Sequence, residues 1–149
     1  MHYIHKWRVA LLLLTALSVV PEVSSADSPN DIVVFGNNGL SVSSVTIDEL
    51  KQIFLKKKTS WRGGDRIVCI NTPSSVPVRA KFREKVLGMS ARDEEIYWEN
   101  QKVRKQLTPP PEMMGTPKAV FKLKNSISYA FRKDVPKNVV KVLLVIPAQ

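Results

Sequence analysis

Histidine and cysteine are almost missing from this chain. Its two histidines, His2 and His5, stand at the extreme N-terminus, and its one cysteine, Cys69, lies in the apolar run Ile67-Val68-Cys69-Ile70. One cysteine forms no internal disulfide, and a cysteine in such a run behaves as a small hydrophobe. Beyond the first residues there is no material for a Ser-His-Asp or Cys-His nucleophile, or for the usual His/Cys zinc sites. Acidic residues are short too: 13 Asp+Glu stand against 23 Lys+Arg, a net charge of +10. The carboxylates best grouped for chemistry, Asp93, Glu94, Glu95 and Glu99, have the pattern of the solvated face of a helix. No catalytic residue, metal site or cofactor is therefore expected, and the chain is not read as an enzyme.

Long apolar stretches are missing as well, with one exception. Lys6 and Arg8 precede the uncharged, leucine-rich run Val9 to Val20, which passes through Pro21 to Ser24-Ser25-Ala26. A basic start, a short apolar middle and a small-residue exit mark a secretory signal peptide. The run falls short of the about 20 residues a spanning helix needs. A signal peptide over residues 1–26 is expected, with a single exported domain over 27–149 and no membrane span after cleavage. Cleavage removes Lys6, Arg8 and Glu22 and lowers the net charge by only one. For an exported basic protein, anionic small molecules, envelope polymers or an acidic protein partner fit better than nucleic acid. A merely basic soluble surface is the plain alternative.

Ile32-Val33-Val34-Phe35, closed by Gly36-Asn37-Asn38-Gly39, reads as strand then loop. Thr46-Ile-Asp-Glu49 is a capping-box pattern for a helix with Leu50, Ile53 and Phe54 inward, ending around Lys56-Lys57-Lys58. A turn over Trp61 to Asp65 leads to a second strand, Arg66 to Ile70. Val78, Phe82 and Val86, with Leu87, form one face of a second helix, and Gly88 is its stop. Ser90 and Asp93 open a third helix with Ile96, Tyr97, Trp98 and Val103; Pro109-Pro110-Pro111 halts regular structure. Thr116-Pro117 reads as a cap and first-turn proline for a short helix to Leu123, with Asn125 left-handed after it. Ile127 to Phe131 and Val139 to Ile146 are the last strands. The order β-α-β-α-α-α-β-β predicts an α/β layered domain.

The stretches "TIDELKQIFLKKKTSW", "GGDRIVCI", "SSVPVRAKFREKVLG", the Tyr97-Trp98 pair, the proline run and "NSISYAF", in that order, resemble the phosphate-binding-like periplasmic domain. That domain is related to the substrate-binding components of phosphate ABC transporters. The resemblance runs from about Ile32 to Val145 and implies one lobe of the two-lobed periplasmic binding protein-like fold, a mixed central sheet with flanking helices. It also implies binding of phosphate or a related oxyanion, linked to ABC-type uptake. The family's Ser-Gly-Thr at the helix start corresponds to Ser75-Val76-Pro77, and its arginine four residues earlier to Asn71. Pro77 has no backbone N–H to offer an anion. The family's glycine after Ile-Phe-Leu is Lys56.

The candidate anion-binding residues are accordingly Asn71, Ser74, Ser75, Val76 and Arg79. Ser74 and Ser75 equally suit an ordinary helix cap, and Arg79 an ordinary surface cation. Trp61, Tyr97 and Trp98 are expected in or beside the core, and Asn37 and Asn38 as turn formers. One lobe supplies one wall, so anion capture would be weak or completed by a second chain. The alternative is a ligand-free module that keeps the architecture and binds an envelope protein.

Overall fold

The computed structural model describes residues 27–149. The leader expected over residues 1–26 lies outside the described residues. Four strands form one sheet: β1 (Ile32–Gly36), β2 (Val68–Cys69), β3 (Ser126–Phe131) and β4 (Lys141–Ile146), in the order β2-β3-β1-β4. β1 is central and antiparallel to both neighbours, with Val34 opposite Tyr129 and Leu144; β2 runs parallel to β3. Four helices are packed on it: α1 (Ile47–Phe54), α2 (Pro77–Phe82), α3 (Ala91–Lys105) and α4 (Thr116–Lys122). The element order is the expected one.

Every residue of β1 is buried, because both faces of the sheet are covered. Ile32 and Val34 join the larger core, beneath α1, α2 and α3. Val33 and Phe35 join a smaller core with Val120 of α4. At the centre of the larger core Phe82 stacks on Tyr129 at 3.6 Å between ring centroids, and Phe54 meets both rings edge-on at 4.7 and 5.4 Å. Fully burying one such side chain contributes about 1.5–3 kcal/mol.

Local signals set the helix ends. Thr46 Oγ1 accepts from Glu49 N–H at 3.1 Å, and Ser90 with Asp93 forms a complete capping box. Gly88 (φ 63) ends a π-helical turn, Arg83–Leu87, that continues α2, and Asn125 (φ 60) takes the left-handed position after α4. Asn37 and Asn38 form the expected turn and also tie it down, donating to the carbonyls of Val120 and Val139 at 2.9 and 3.1 Å. Trp61 is buried and donates to Asn125 O.

Two caps differ from expectation. The N-cap of α2 is Val76, with no side-chain capping bond, and Ser74 and Ser75 are exposed. Pro73 is the reason: its carbonyl accepts Val76 N–H at 3.0 Å, closing a turn that delays the helix until Pro77. Gly115, not Thr116, caps α4; Thr116 is its first residue and donates its hydroxyl to Tyr129 O at 3.3 Å.

Candidate functional site

The junction from β2 to α2 begins at Asn71, which continues the strand direction. Its N–H donates to Pro111 O at 2.8 Å, and its carbonyl accepts Met113 N–H at 2.9 Å. This short parallel bridge to Glu112 locks the start of the junction to the segment after the proline run. The side chain turns inward, and Tyr129 OH donates to Asn71 Oδ1 at 2.7 Å. Burial pushes the Tyr129 phenol up to about 12, against the pull of the Arg79 charge.

Arg79 is buried, not a surface cation. Its position in α2, one residue after Val78 and three before Phe82, points it under α3, where Nη2 bonds Glu94 Oε1. Arg83 approaches the other Glu94 oxygen at 3.7 Å. Glu94 is therefore not part of a solvated face; Glu95 and Glu99 are exposed, as expected. Burial disfavours the guanidinium charge, but Tyr129 and the Glu94 carboxylate outweigh it and hold Arg79 above its ordinary value. The group is charged at every working pH. Its Nε and Nη1, and Trp98 Nε1 beside it, are buried without a hydrogen-bond partner among the described residues.

A cleft of about 590 Å³ opens over this pair, between the start of α2, one face of α3 and the proline segment. Ser74 and Arg79 both line it. Ser75 is exposed beside it, Asn71 faces Tyr129, and Val76 lines a separate groove with Thr72 and Met113. The charges in the cleft are mixed: Arg79, Arg83 and Lys102 against Glu94, Glu95, Glu99 and Glu112. Donors, acceptors and an indole edge allow it to hydrogen-bond a small polar ligand.

Trp98 is in the core as expected, but sequence reasoning did not place Glu94, Trp98 or Glu112 at the cleft. A usable signal existed for two of them: Glu94 and Trp98 are four apart, so they share one face of α3. Glu112 enters through the bridge to Asn71, which nothing local announces. Cys69 is buried and unpaired, as expected, and burial pushes its thiol well above the ordinary range. Among the described residues no cluster of metal-ligating side chains is present, and no helix is long and apolar enough to cross a membrane.

No family model and no curated protein matches the chain. Solved structures do. An ABC-type phosphate transport receptor from Vibrio cholerae aligns with TM-score 0.58 at 16% identity, over 77% of this chain and 46% of that one. A putative phosphate ABC transporter substrate-binding protein with bound phosphate, from Clostridium perfringens, gives 0.58 at 20% identity, over 77% and 45%. PstS from Borrelia burgdorferi gives 0.55 at 12% identity, over 77% and 50%. The chain thus spans about half the length of the structures it matches. At these identities the likeness establishes the fold alone, the periplasmic binding protein-like fold of those structures.

Proposed function

We propose that the chain is an exported oxyanion-binding module of the phosphate type, serving ABC-type uptake in the periplasm. The likeness to proteins named for phosphate transport supports this reading, and one observation carries it. The unsatisfied donors of Arg79, together with Trp98 Nε1, are buried beside a cleft that Ser74 also lines. A buried donor left without a partner costs about 1–3 kcal/mol. An oxyanion taking two or three of them in a low-dielectric setting relieves that cost and accepts charge-assisted bonds. The chain spans about half the length of the structures it matches, so affinity is weak, or a second polypeptide covers the cleft.

A second reading has its own observation. Glu94 already neutralises Arg79, and four carboxylates line the cleft against three cations, which opposes a dianion. That arrangement favours a module that keeps the lobe architecture and uses its surface to hold an envelope protein.

Calorimetric titration with phosphate at low ionic strength separates the two. Heat on phosphate addition that disappears in an Arg79→Met, Glu94→Leu double variant supports the oxyanion reading. That variant removes the Arg79 donors together with their buried carboxylate partner, and only the more exposed Arg83 loses its 3.7 Å contact. Absence of heat at millimolar phosphate, with retention of an envelope protein on the immobilised domain, supports the second.

A further inference from the structure

The outer edge of β2 is covered on both sides of Cys69 but open at Cys69 itself. Val68 and Ile70 donate their N–H groups toward β3, to the carbonyls of Asn125 and Ile127, at 3.0 Å each. Residues of the other parity face the opposite way. Of these, Ile67 N–H is taken by Thr59 O at 2.9 Å and Asn71 N–H by Pro111 O at 2.8 Å. Cys69 lies between them, where a cavity of about 400 Å³ opens, flanked by Thr59 and Pro111.

The cavity has an apolar floor of Ile53, Ile67, Val68 and Leu107, and a rim of Lys56, Lys58 and Arg66 with no carboxylate among its lining residues. Among the described residues, ion pairing engages Lys58, with Glu49; neither Lys56 nor Arg66 takes part in a salt bridge. Lys56 is also in a strained backbone conformation. It follows Leu55, the C-cap of α1, at φ 54. Glycine adopts that conformation freely and is the common residue just past a helix C-cap. The chain has a half-buried lysine there instead, close enough to Cys69 for its charge to act on the thiol.

We infer that this cavity binds a single-chain amphiphilic carboxylate. Its apolar chain lies on Ile53, Ile67, Val68 and Leu107, and its head group is held by Lys56 and Arg66, with the outward Cys69 N–H as a main-chain donor. Inorganic phosphate gains nothing from the apolar floor, and a cationic or neutral amphiphile gains nothing from the rim. The volume suits a small molecule. This site adjoins the Ser74 cleft at Leu107 but shares none of its charged residues, and it does not depend on the oxyanion reading.

Decanoate, kept below its micelle-forming concentration, is the probe, titrated by calorimetry against the protein and two variants. Saturable binding is expected, weakened at least ten-fold in Lys56→Gly and in Arg66→Gln. Lys56→Gly should melt at the same temperature as the parent or higher, because glycine relieves the strain at that φ, so its lost binding cannot be ascribed to unfolding. The inference fails if decanol or decyltrimethylammonium binds as tightly as decanoate, or if Lys56→Gly binds it unchanged. It also fails if no saturable binding occurs, or if millimolar phosphate displaces the carboxylate.

Discussion

Arg79 and Glu94 show how much one pair of residues can decide. Their side chains are 7% and 9% exposed, so each charge depends on the other for compensation. Removing one partner of such a pair costs about 3–5 kcal/mol, whereas replacing both with apolar side chains of similar volume is often neutral. Glu94→Gln should therefore lower stability by about 3 kcal/mol or more in urea unfolding. Arg79→Met with Glu94→Leu should recover most of it, giving a large coupling in the double-mutant cycle. A coupling near zero would mean that water, not Glu94, compensates the guanidinium. Ser75 lies at the other extreme. Exposed and outside the cap, it should tolerate Ser75→Ala with a stability change within about 0.5 kcal/mol. A larger loss, read from the melting temperature, would restore it as the cap of α2.

At the scale of elements, the caps that do form carry the helix boundaries. Thr46→Ala and Ser90→Ala should each cost about 1 kcal/mol, since each removes a side-chain acceptor from a backbone N–H at a helix start. The end of β1 is held by close approach rather than by a cap. A Cβ on Gly36 would lie 2.2 Å from Leu40 Cδ1 and 3.3 Å from the Ser126 carbonyl. Gly36→Ala should accordingly lower stability by about 1–3 kcal/mol, as overpacking does, with the loss measured in the urea midpoint. α2 is the weakly specified element: it starts without a side-chain cap and passes into a π-helical turn before Gly88. Its place is set by Val78 and Phe82 in the core, not by its own ends. That leaves Ser74 and Ser75 available at the surface.

For the whole molecule, two buried groups in the larger core couple folding to alkaline pH. Tyr129 has its pKa raised from 10.0 to about 12, and the Cys69 thiol is raised as well. Both are neutral when protonated, and both hold the proton more tightly in the folded chain. Between the unfolded and folded values the native state binds more protons, so stability falls as pH rises. The stabilisation is complete below about pH 9, starts to fall where an unfolded thiol ionises, and falls further between pH 10 and 12 through Tyr129. Urea midpoints taken from pH 8 to 11.5 should show this decline. Tyr129→Phe should start lower, having lost its bond to Asn71 Oδ1, and decline less steeply. A flat profile in the parent would show that the core opens to solvent without unfolding.

The amino-acid sequence by itself determined the order of elements, both faces of β1, the caps at Thr46 and Ser90, and the left-handed stops at Gly88 and Asn125. Each of these rests on periodicity or on hydrogen bonds reaching three or four residues, distances that a local pattern spans. Ser75 misled for a local reason too, because the Pro73 turn moved the helix start beyond it. The tertiary structure alone decided that Arg79 faces Glu94, 15 residues on, and that Asn71 is spent on Tyr129, 58 residues away. It also decided that the Cys69 edge stays open between Thr59 and Pro111. Those outcomes depend on which segments the folded core brings side by side, and burial then fixes which polar groups have partners and which remain free.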